Sequence, residues 1–217
     1  MESTNEILYR VKNKIFPSNT YILKDNITNF CILIDPGLDT TPINKIIEEL
    51  NLKPIAILST HGHFDHIGSV SFFKNKFKIP FYIHGADFKI SQSANFFLKI
   101  ARINHKIEIP KPDFLFKEKE ENLKIGNFEL SIFNFPGHSD GSCIIQSNKL
   151  LFSGDIIYKK GLGFNNFPGE NKANLKDSIL KIFEIFPNDA IVYPGHGESD
   201  YLMNIKHNNQ DLINFLL

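Results

Sequence analysis

Four side chains that can bind a metal ion lie within six residues of one another: His61, His63, Asp65 and His66. They follow a short apolar run that predicts a buried strand, and they precede a predicted helix that begins near Gly68. On a helix the first two imidazoles would point to different faces, whereas in an extended loop both can lie on one side. Imidazole and carboxylate ligands suit zinc, iron or manganese, and the absence of cysteine from the segment argues against a structural thiolate site. The segment therefore predicts a metal centre at a turn between a strand and a helix.

Three further ligand-type side chains, His138, Asp155 and His196, each follow a glycine at the end of an apolar run. A lone histidine is usually structural. In layered α/β folds, however, turns of this kind gather at one edge of the sheets, where binding sites form. We therefore expect these three side chains to join the first four. The remaining histidines lack this context and are expected to lie at the surface or to bond locally: His84, His105 and His207.

The elements that must position these residues can be predicted from hydrophobic patterning. Short runs rich in β-branched and aromatic residues, bounded by Gly, Pro, Asn or Asp, predict strands. They cover Ile7–Val11, Tyr21–Leu23, Phe30–Ile34, Ile55–Leu58, Phe81–Ile83, Phe128–Phe133, Cys143–Gln146, Leu150–Phe152 and Ala190–Tyr193. Apolar residues at helical spacing predict helices over Pro42–Leu50, Gly68–Phe77 and Leu175–Phe186, with a further helix from Ala86 to Arg102. The charged stretch Lys117–Glu121 is expected to be a solvated loop or face. Strands and helices mixed along the chain predict a layered α/β protein, taken as one domain over residues 1–217.

Composition excludes several classes of protein. The 217 residues carry 24 Lys and Arg against 24 Asp and Glu, so the formal net charge is zero and a general nucleic-acid binder is not expected. Two cysteines, Cys31 and Cys143, are too few for a disulfide framework and lie in apolar runs, which predicts buried thiols. No signal peptide or membrane span is evident. We expect a cytoplasmic protein with a small-molecule substrate and no membrane partner, whose oligomeric state the sequence does not give.

The full set of motifs resembles the metallo-β-lactamase superfamily: H-x-H-x-D-H at 61–66, followed in order by Gly-His, Gly-Asp and Gly-His. The segments 136–142 and 154–163 resemble its glyoxalase II-like branch, the hydroxyacylglutathione hydrolases and their short relatives. Full-length members of that branch carry a C-terminal helical domain. Here about twenty residues follow His196, so a short form without that domain is expected. The resemblance implies an α/β fold in the form of a four-layered αβ/βα sandwich, with the metal ions held between the edges of two sheets.

The same resemblance implies a role for each of the seven residues. One ion falls to His61, His63 and His138, the second to Asp65, His66 and His196, and Asp155 bridges them. The implied cofactors are two divalent metal ions, with zinc expected first and iron or manganese as alternatives. Two such ions generate hydroxide from water at neutral pH and polarise a substrate carbonyl. Asp65 is the expected catalytic residue, because it can orient the hydroxide and relay its proton.

Two residues beside the cluster have less specific interpretations. Asp35 either holds one of the histidines or forms a simple Asp-Pro-Gly turn. The hydroxyls of Ser139 and Ser142 are expected to form turns rather than to act as nucleophiles. Substrate-binding residues are not identified by the sequence.

The implied activity is hydrolysis of a thioester such as an acylglutathione. The alternative is a mononuclear non-haem iron enzyme resembling the persulfide dioxygenases, with His61, His138 and Asp155 as its ligands. A scaffold that kept the fold would have lost ligands, yet all seven positions are filled. Short relatives often carry Arg and Asp where this chain has Phe164 and Asn166. Because phenylalanine cannot pair with a substrate carboxylate, recognition of glutathione stays open.

Overall fold

The computed structural model describes residues 6–164 and 169–217. Within that part of the chain, twelve strands form two six-stranded sheets. The strands are β1 (Glu6–Lys12), β2 (Asn19–Asp25), β3 (Phe30–Ile34), β4 (Lys53–Leu58), β5 (Phe81–His84), β6 (Phe114–Phe116), β7 (Glu120–Ile125), β8 (Phe128–Asn134), β9 (Cys143–Ser147), β10 (Leu150–Gly154), β11 (Ile191–Pro194) and β12 (Asp200–Tyr201). The helices are α1 (Thr40–Glu49), α2 (Phe64–Ile67), α3 (Val70–Phe77), α4 (Phe88–Gln92), α5 (Ala94–Ile100), α6 (Lys172–Ile185), α7 (Leu202–Asn208) and α8 (Gln210–Leu216), with a 3₁₀ turn at Gly85–Asp87.

The first sheet has the order β1-β2-β3-β4-β5-β6 and the second the order β12-β11-β10-β9-β8-β7. In the first sheet, β1 to β3 pair antiparallel, and β3 to β6 pair parallel. In the second sheet the one parallel pair among the described strands is β10 with β11, and helix α6 lies between these two strands in the chain. Parallel neighbours need such a crossover connection, which here also covers one face of the sheet.

Side-chain alternation along the strands divides the core into three layers. On β3, Cys31 and Leu33 pack among the residues of α1 and α3, whereas Ile32 and Ile34 pack between the two sheets. On β9, Ile145 faces the same space between the sheets, and Ile144 packs with α6 to α8. A period of two that buries both faces of a strand requires a layer on each side. The fold is thus the expected four-layered αβ/βα sandwich.

All nine predicted strands are present, but the sequence missed three: β6, β7 and β12. The stretch Lys117–Glu121, expected to be a solvated loop or face, is a solvated loop that passes into β7 at Glu120. Exposed and half-buried residues alternate along β7, and its Leu123 and Ile125 pack against the core between the sheets. The terminal helices α7 and α8 were also not predicted.

The segment from Ala86 to Arg102, which the sequence predicts to be helical, is helical over most of its length but is not one continuous helix. The segment is a 3₁₀ turn followed by α4 and α5, and the chain breaks at Asp87 and Ser93, which precede the two helices. The side chains of Asp87 and Ser93 do not cap these helices. The carboxylate of Asp87 bonds instead to loops that are distant in the sequence, so contacts that the local pattern does not show hold the chain at this point.

The two cysteines lie in the core. Cys31 and Cys143 are free and buried, as expected. Among the residues that the structure describes, no helix combines the length and the apolar character needed to cross a membrane.

Candidate metal centre

All seven candidate ligands lie in one cluster at the edge where the two sheets meet. They fall into three overlapping groups in which the ligand atoms lie within 4.8 Å of one another. The groups are His61, His63 and His138; His61, His66 and Asp155; and Asp65, His66 and His196. Residues more than 130 positions apart in the sequence are thus brought together by four turns, each after a strand.

Asp155, in the turn after β10, lies at the centre of the cluster. Its Oδ2 is 3.3 Å from His196 Nε2 and 3.6 Å from His138 Nε2, and its Oδ1 is 3.4 Å from His66 Nε2. Asp155 Oδ2 is also 3.9 Å from His61 Nε2. A carboxylate that reaches histidines of both outer groups has the position of a bridging ligand.

The segment 61–66 presents its side chains in two directions because its backbone changes conformation at His63. This residue has extended backbone angles and precedes helix α2, so His61 and His63 lie on the extended part. Asp65 and His66 lie in the first turn of α2. Asp65 Oδ2 is 3.4 Å from His66 Nε2 and 3.2 Å from His196 Nε2. The extended part therefore serves one outer group and the helical part the other.

Hydrogen bonds on the outer side of the cluster orient the imidazoles. His66 Nδ1 lies 3.0 Å from Asp35 Oδ2, and Asp35 in turn accepts from the backbone N–H and the hydroxyl of Thr60, both at 2.7 Å. His61 Nδ1 lies 3.1 Å from Thr60 Oγ1. Of the two interpretations of Asp35, the structure supports the one in which it holds a histidine.

Backbone carbonyl groups hold two more rings. His138 Nδ1 is 2.8 Å from the carbonyl oxygen of Gly163, and His196 Nδ1 bonds to that of Pro17. An Nδ1–H that donates outward leaves the Nε2 lone pair directed into the cluster, which is the arrangement typical of metal-binding histidines. His63 differs, because its Nδ1 is the atom in the cluster, 2.9 Å from His138 Nε2.

The carboxylates and imidazoles shift one another's pKa values strongly. Burial raises the pKa of Asp155, but the positive charges of His196 and His66 outweigh it and hold that pKa well below its usual range. Burial also raises the pKa of Asp65. The positive charge of His66 and the hydrogen bond from His196 outweigh burial, so the pKa of Asp65 is lowered as well. Both carboxylates are therefore ionised in a site that excludes most water.

The imidazoles divide into two kinds. Burial lowers the pKa of His196, but the charge of Asp155 and its hydrogen bonds to Asp155 and Asp65 raise it to about 10. Burial also lowers the pKa of His66, but the negative charges of Asp65, Asp155 and Asp35 outweigh it and raise that pKa. Burial and the neighbouring His138 lower the pKa of His63 to about 3, and burial lowers that of His61. The carboxylate side of the cluster thus requires positive charge, and the His61 and His63 side offers neutral nitrogen ligands.

Three buried ligand atoms have no hydrogen-bond partner within the described residues: His61 Nε2, His66 Nε2 and Asp155 Oδ1. A buried polar atom without a partner costs about 1–3 kcal/mol, so three in one cluster indicate that an absent group satisfies them. All three point into the space shared by the ligand set, and nitrogen and carboxylate oxygen are the donors that zinc and iron take. The residues present fit a dinuclear divalent metal site.

Two residues near the site were missed by the sequence. Asp87 accepts hydrogen bonds from loops on both sides of the cluster, and burial raises the pKa of its carboxyl. The ring of Tyr158 lies 5.9 Å from that of His196, and burial together with the charge of Asp155 raises the pKa of its hydroxyl well above the usual value. Nothing in the sequence pointed to Asp87, because it falls inside a segment predicted to be helical. For Tyr158 a signal was available, since it lies only three positions after the candidate ligand Asp155.

Of the two residues on which recognition of glutathione depends, Phe164 is among the residues that the structure describes. The ring of Phe164 lies 6.0 Å from that of Phe215 on α8, and Phe164 packs against the core formed by α6 to α8. Its role is packing. Asn166 lies outside the described residues.

Ser139 and Ser142 behave as expected for turn-forming residues. Ser139 Oγ donates to Asp87 Oδ2 at 2.7 Å, and Ser142 Oγ accepts from the backbone N–H of Ser139 at 3.1 Å. Neither hydroxyl is engaged by an imidazole in the manner of an activated nucleophile.

Comparison with known proteins identifies the family to which this chain belongs. The profile of the metallo-beta-lactamase superfamily matches residues 14–196. A probable metallo-hydrolase, YqgX of Bacillus subtilis, is 33% identical over 208 residues, which covers 92% of this chain and 94% of the relative. The hydroxyacylglutathione hydrolase GloC of Haemophilus influenzae is 30% identical over 201 residues, covering 89% of this chain and 92% of GloC.

Solved structures with the same fold include BLEG-1, described as a B3 metallo-beta-lactamase, with a TM-score of 0.81 and 30% identity over 95% of this chain and 99% of that one. The protein TTHA1623 in a di-iron-bound form has a TM-score of 0.79 and 27% identity over 93% and 98% of the two chains. With the fold, the ligand cluster and the matching profile in agreement, the chain belongs to the metallo-beta-lactamase superfamily.

Proposed function

We propose that this metal-dependent hydrolase of the metallo-beta-lactamase superfamily cleaves thioesters with two zinc ions as its cofactors. The observation that carries the proposal is the arrangement of two three-residue ligand groups around Asp155. Two divalent ions held by these residues would polarise a substrate carbonyl and lower the pKa of a bound water. The 30% identity to the hydroxyacylglutathione hydrolase GloC supports a thioester as the bond that is cleaved.

The side chains near the cluster leave water as the nucleophile. The hydroxyls of Ser139 and Ser142 are engaged with Asp87 and with the backbone. The thiol of Cys143 is buried, and burial raises its pKa well above the usual value, so it stays protonated. Hydrolysis without a covalent enzyme intermediate follows from this distribution of groups.

Asp65 is proposed as the residue that handles the proton. Its carboxylate lies within 4 Å of two imidazoles, 3.2 Å from His196 Nε2 and 3.4 Å from His66 Nε2. In this position it can orient the attacking water and take its proton, and then pass that proton to the leaving thiolate. Asp155 lies within 4 Å of four imidazoles, twice as many as Asp65, which favours Asp65 for the role.

The cations near the site do not favour an anionic thiol such as glutathione. Arg10 and Lys12 both form ion pairs with Glu198, at 2.7 and 2.8 Å, and Lys159 pairs with Asp200 at 3.1 Å. A cation already paired with a carboxylate offers less attraction to a second one. We therefore propose that the enzyme depends on the thioester bond more than on the glutathione part of the substrate.

A panel of thioesters tests the proposal. Protein reconstituted with zinc, manganese or iron would be given acylglutathiones, acyl-coenzyme A esters and simple alkyl thioesters, with thiol release followed by a disulfide dye. We expect release from at least one thioester, and none from the same protein carrying His63→Ala. Hydrolysis of a β-lactam with no thiol release from any thioester would refute the thioester while retaining a hydrolase.

The dioxygenase alternative has its own outcome. It requires one iron at His61, His138 and Asp155, whereas the additional donors on Asp65, His66 and His196 in the same cluster favour two ions. One iron per chain together with oxygen uptake on a persulfide substrate would refute the hydrolase.

A further inference from the structure

One fully buried carboxylate lies outside the seven candidate ligands yet bonds to the loops that carry three of them. Asp87 ends the 3₁₀ turn after β5 and has 0% of its surface exposed. Its Oδ2 accepts hydrogen bonds from the backbone N–H of Gly62 and from Ser139 Oγ, both at 2.7 Å. Its Oδ1 accepts from the backbone N–H of Gly141 at 2.6 Å. Every one of these donors belongs to a loop that carries candidate ligands.

The positions of the donors relative to the ligands are specific. Gly62 lies between His61 and His63, and Ser139 directly follows His138. The first loop follows β4 of the first sheet, and the second joins β8 to β9 of the second sheet. Asp87 thus ties the two sheets together at the point where each delivers ligands to the same group of three histidines.

The packing around Asp87 leaves little room for the loops to shift. A Cβ at Gly62 would lie 2.6 Å from the Asp87 carbonyl oxygen, and a Cβ at Gly141 would lie 2.6 Å from Asp87 Oδ1. Both distances are shorter than van der Waals contact, so glycine at these positions allows Asp87 to approach both loops closely, through its backbone at Gly62 and through its carboxylate at Gly141.

We propose that Asp87 is a positioning residue that sets the affinity of His61, His63 and His138 for one of the two metal ions, without touching that ion. The inference rests on the dinuclear site of the proposed function. The other outer group does not depend on Asp87, because His66 is held by Asp35 and His196 by the carbonyl of Pro17. The effect of Asp87 is therefore selective for one ion.

Replacing the Asp87 carboxylate with an amide makes its effect on metal affinity measurable. A carboxylate offers acceptors to all three donors, whereas an asparagine amide offers one oxygen and two N–H donors. In Asp87→Asn at least one of the donors on Gly62, Ser139 or Gly141 loses its acceptor, and the two loops lose part of what sets their separation. Changes to residues that orient metal ligands weaken metal binding by about 10- to 100-fold.

The two loops stay connected in the variant. The backbone N–H of Cys143 donates to the carbonyl of Thr60 at 2.8 Å, which joins the same two segments independently of Asp87. We therefore expect Asp87→Asn to fold and to lose affinity rather than structure. Ser139→Ala is a milder second variant, because it removes one of the three donors and leaves the carboxylate in place.

Asp25→Asn is the matched control. Asp25 is also a buried carboxylate, 3% exposed, and it accepts three hydrogen bonds, from Ile27 N, Thr28 Oγ1 and Asn127 Nδ2. It lies at the far end of β2 from Asn19, whose side chain bonds to the Pro194 carbonyl beside the cluster. Six residues of strand separate Asp25 from that end by about 20 Å.

The experiment titrates the metal-free full-length proteins with Zn²⁺ against a chelating dye and locates the bound ions by anomalous diffraction. We expect Asp87→Asn to bind one ion as the wild type does and the ion at His61, His63 and His138 about 10- to 100-fold more weakly. Ser139→Ala should weaken the same ion by less, and Asp25→Asn should bind both ions normally even if its melting temperature falls.

Three results would overturn the inference. Unchanged affinity for both ions in Asp87→Asn and Ser139→Ala would leave Asp87 with a purely structural role. Equal weakening of both ions would show a general loosening of the fold. Failure of the wild type to bind a second ion would refute the dinuclear site itself, and the wild-type titration separates that failure from a failure of Asp87 alone.

Discussion

Replacing Asp35 with asparagine should weaken the ion assigned to Asp65, His66 and His196. Asp35 Oδ2 lies 3.0 Å from His66 Nδ1 and accepts from Thr60 Oγ1 at 2.7 Å, while Oδ1 accepts from the Thr60 backbone N–H at 2.7 Å. Asp35 and His66 are 1% and 0% exposed, so no solvent can replace a lost partner. The substitution keeps the shape of the side chain and changes only its hydrogen bonding.

The two orientations of the new amide have different costs. If Nδ2 faces the Thr60 backbone, two donors meet, which costs about 1–3 kcal/mol in the free energy of unfolding. If Nδ2 faces His66, it donates to Nδ1 and the ring carries its proton on Nε2, the atom that lies 3.4 Å from both Asp65 and Asp155. A protonated Nε2 cannot bind a metal. The expected loss of affinity is about 10- to 100-fold, which corresponds to about 1.4–2.7 kcal/mol.

Zinc titration of Asp35→Asn against a chelating dye measures the affinity, and ¹⁵N chemical shifts of the histidine rings report which nitrogen of His66 carries the proton. We expect the ion at Asp65, His66 and His196 to be weakened more than the ion at His61, His63 and His138, and the fold to be retained. Wild-type affinity for both ions with an unchanged His66 tautomer would refute the assignment of Asp35 as the residue that orients this ring.

Further substitutions test other parts of the site. His63→Ala should lose metal and turnover while circular dichroism stays close to that of the wild type, and retained turnover would contradict its assignment as a ligand. Asp65→Asn should lower kcat by about 100- to 10,000-fold with a much smaller change in KM, as expected for a proton-handling group; a change confined to KM would exclude that role. Gly195→Ala should abolish binding of at least one ion, because a Cβ there would overlap Asp155 Oδ1 and lie 2.5 Å from His66 Cε1. Gly85→Ala is its control, because φ is not positive there and a Cβ would come no closer than 3.4 Å to any neighbouring atom; equal metal binding by both variants would contradict the packing argument.

The sequence predicts the parts of this protein that depend on local pattern. The strands on either side of the core are short β-branched runs whose alternate residues face two layers, as Cys31 and Ile32 do on β3. The candidate ligands recur in one local context, a turn after a strand, and the structure brings all seven of them together. Their roles as metal ligands stay predictions that the substitutions above address.

The parts that the sequence missed depend on contacts between distant segments. Asp87 bonds to backbone groups 25 and 54 residues away, and neither Gly62 nor Gly141 shows in its own sequence that a carboxylate lies against it. The start of β7 at Glu120 was hidden by surrounding charges, because an edge strand can expose charged residues on one face. The position of Phe164 likewise depends on a distant segment, because its ring packs near that of Phe215, which is 51 positions later in the chain.

The central claim is that two divalent ions share one cluster around Asp155. The most direct test is to count the metal ions bound per chain of the zinc-reconstituted protein and to locate them by anomalous diffraction. The account predicts two ions, one beside His61, His63 and His138 and one beside Asp65, His66 and His196, with Asp155 in contact with both. A single ion with Asp65, His66 and His196 free of metal at saturating zinc would contradict it.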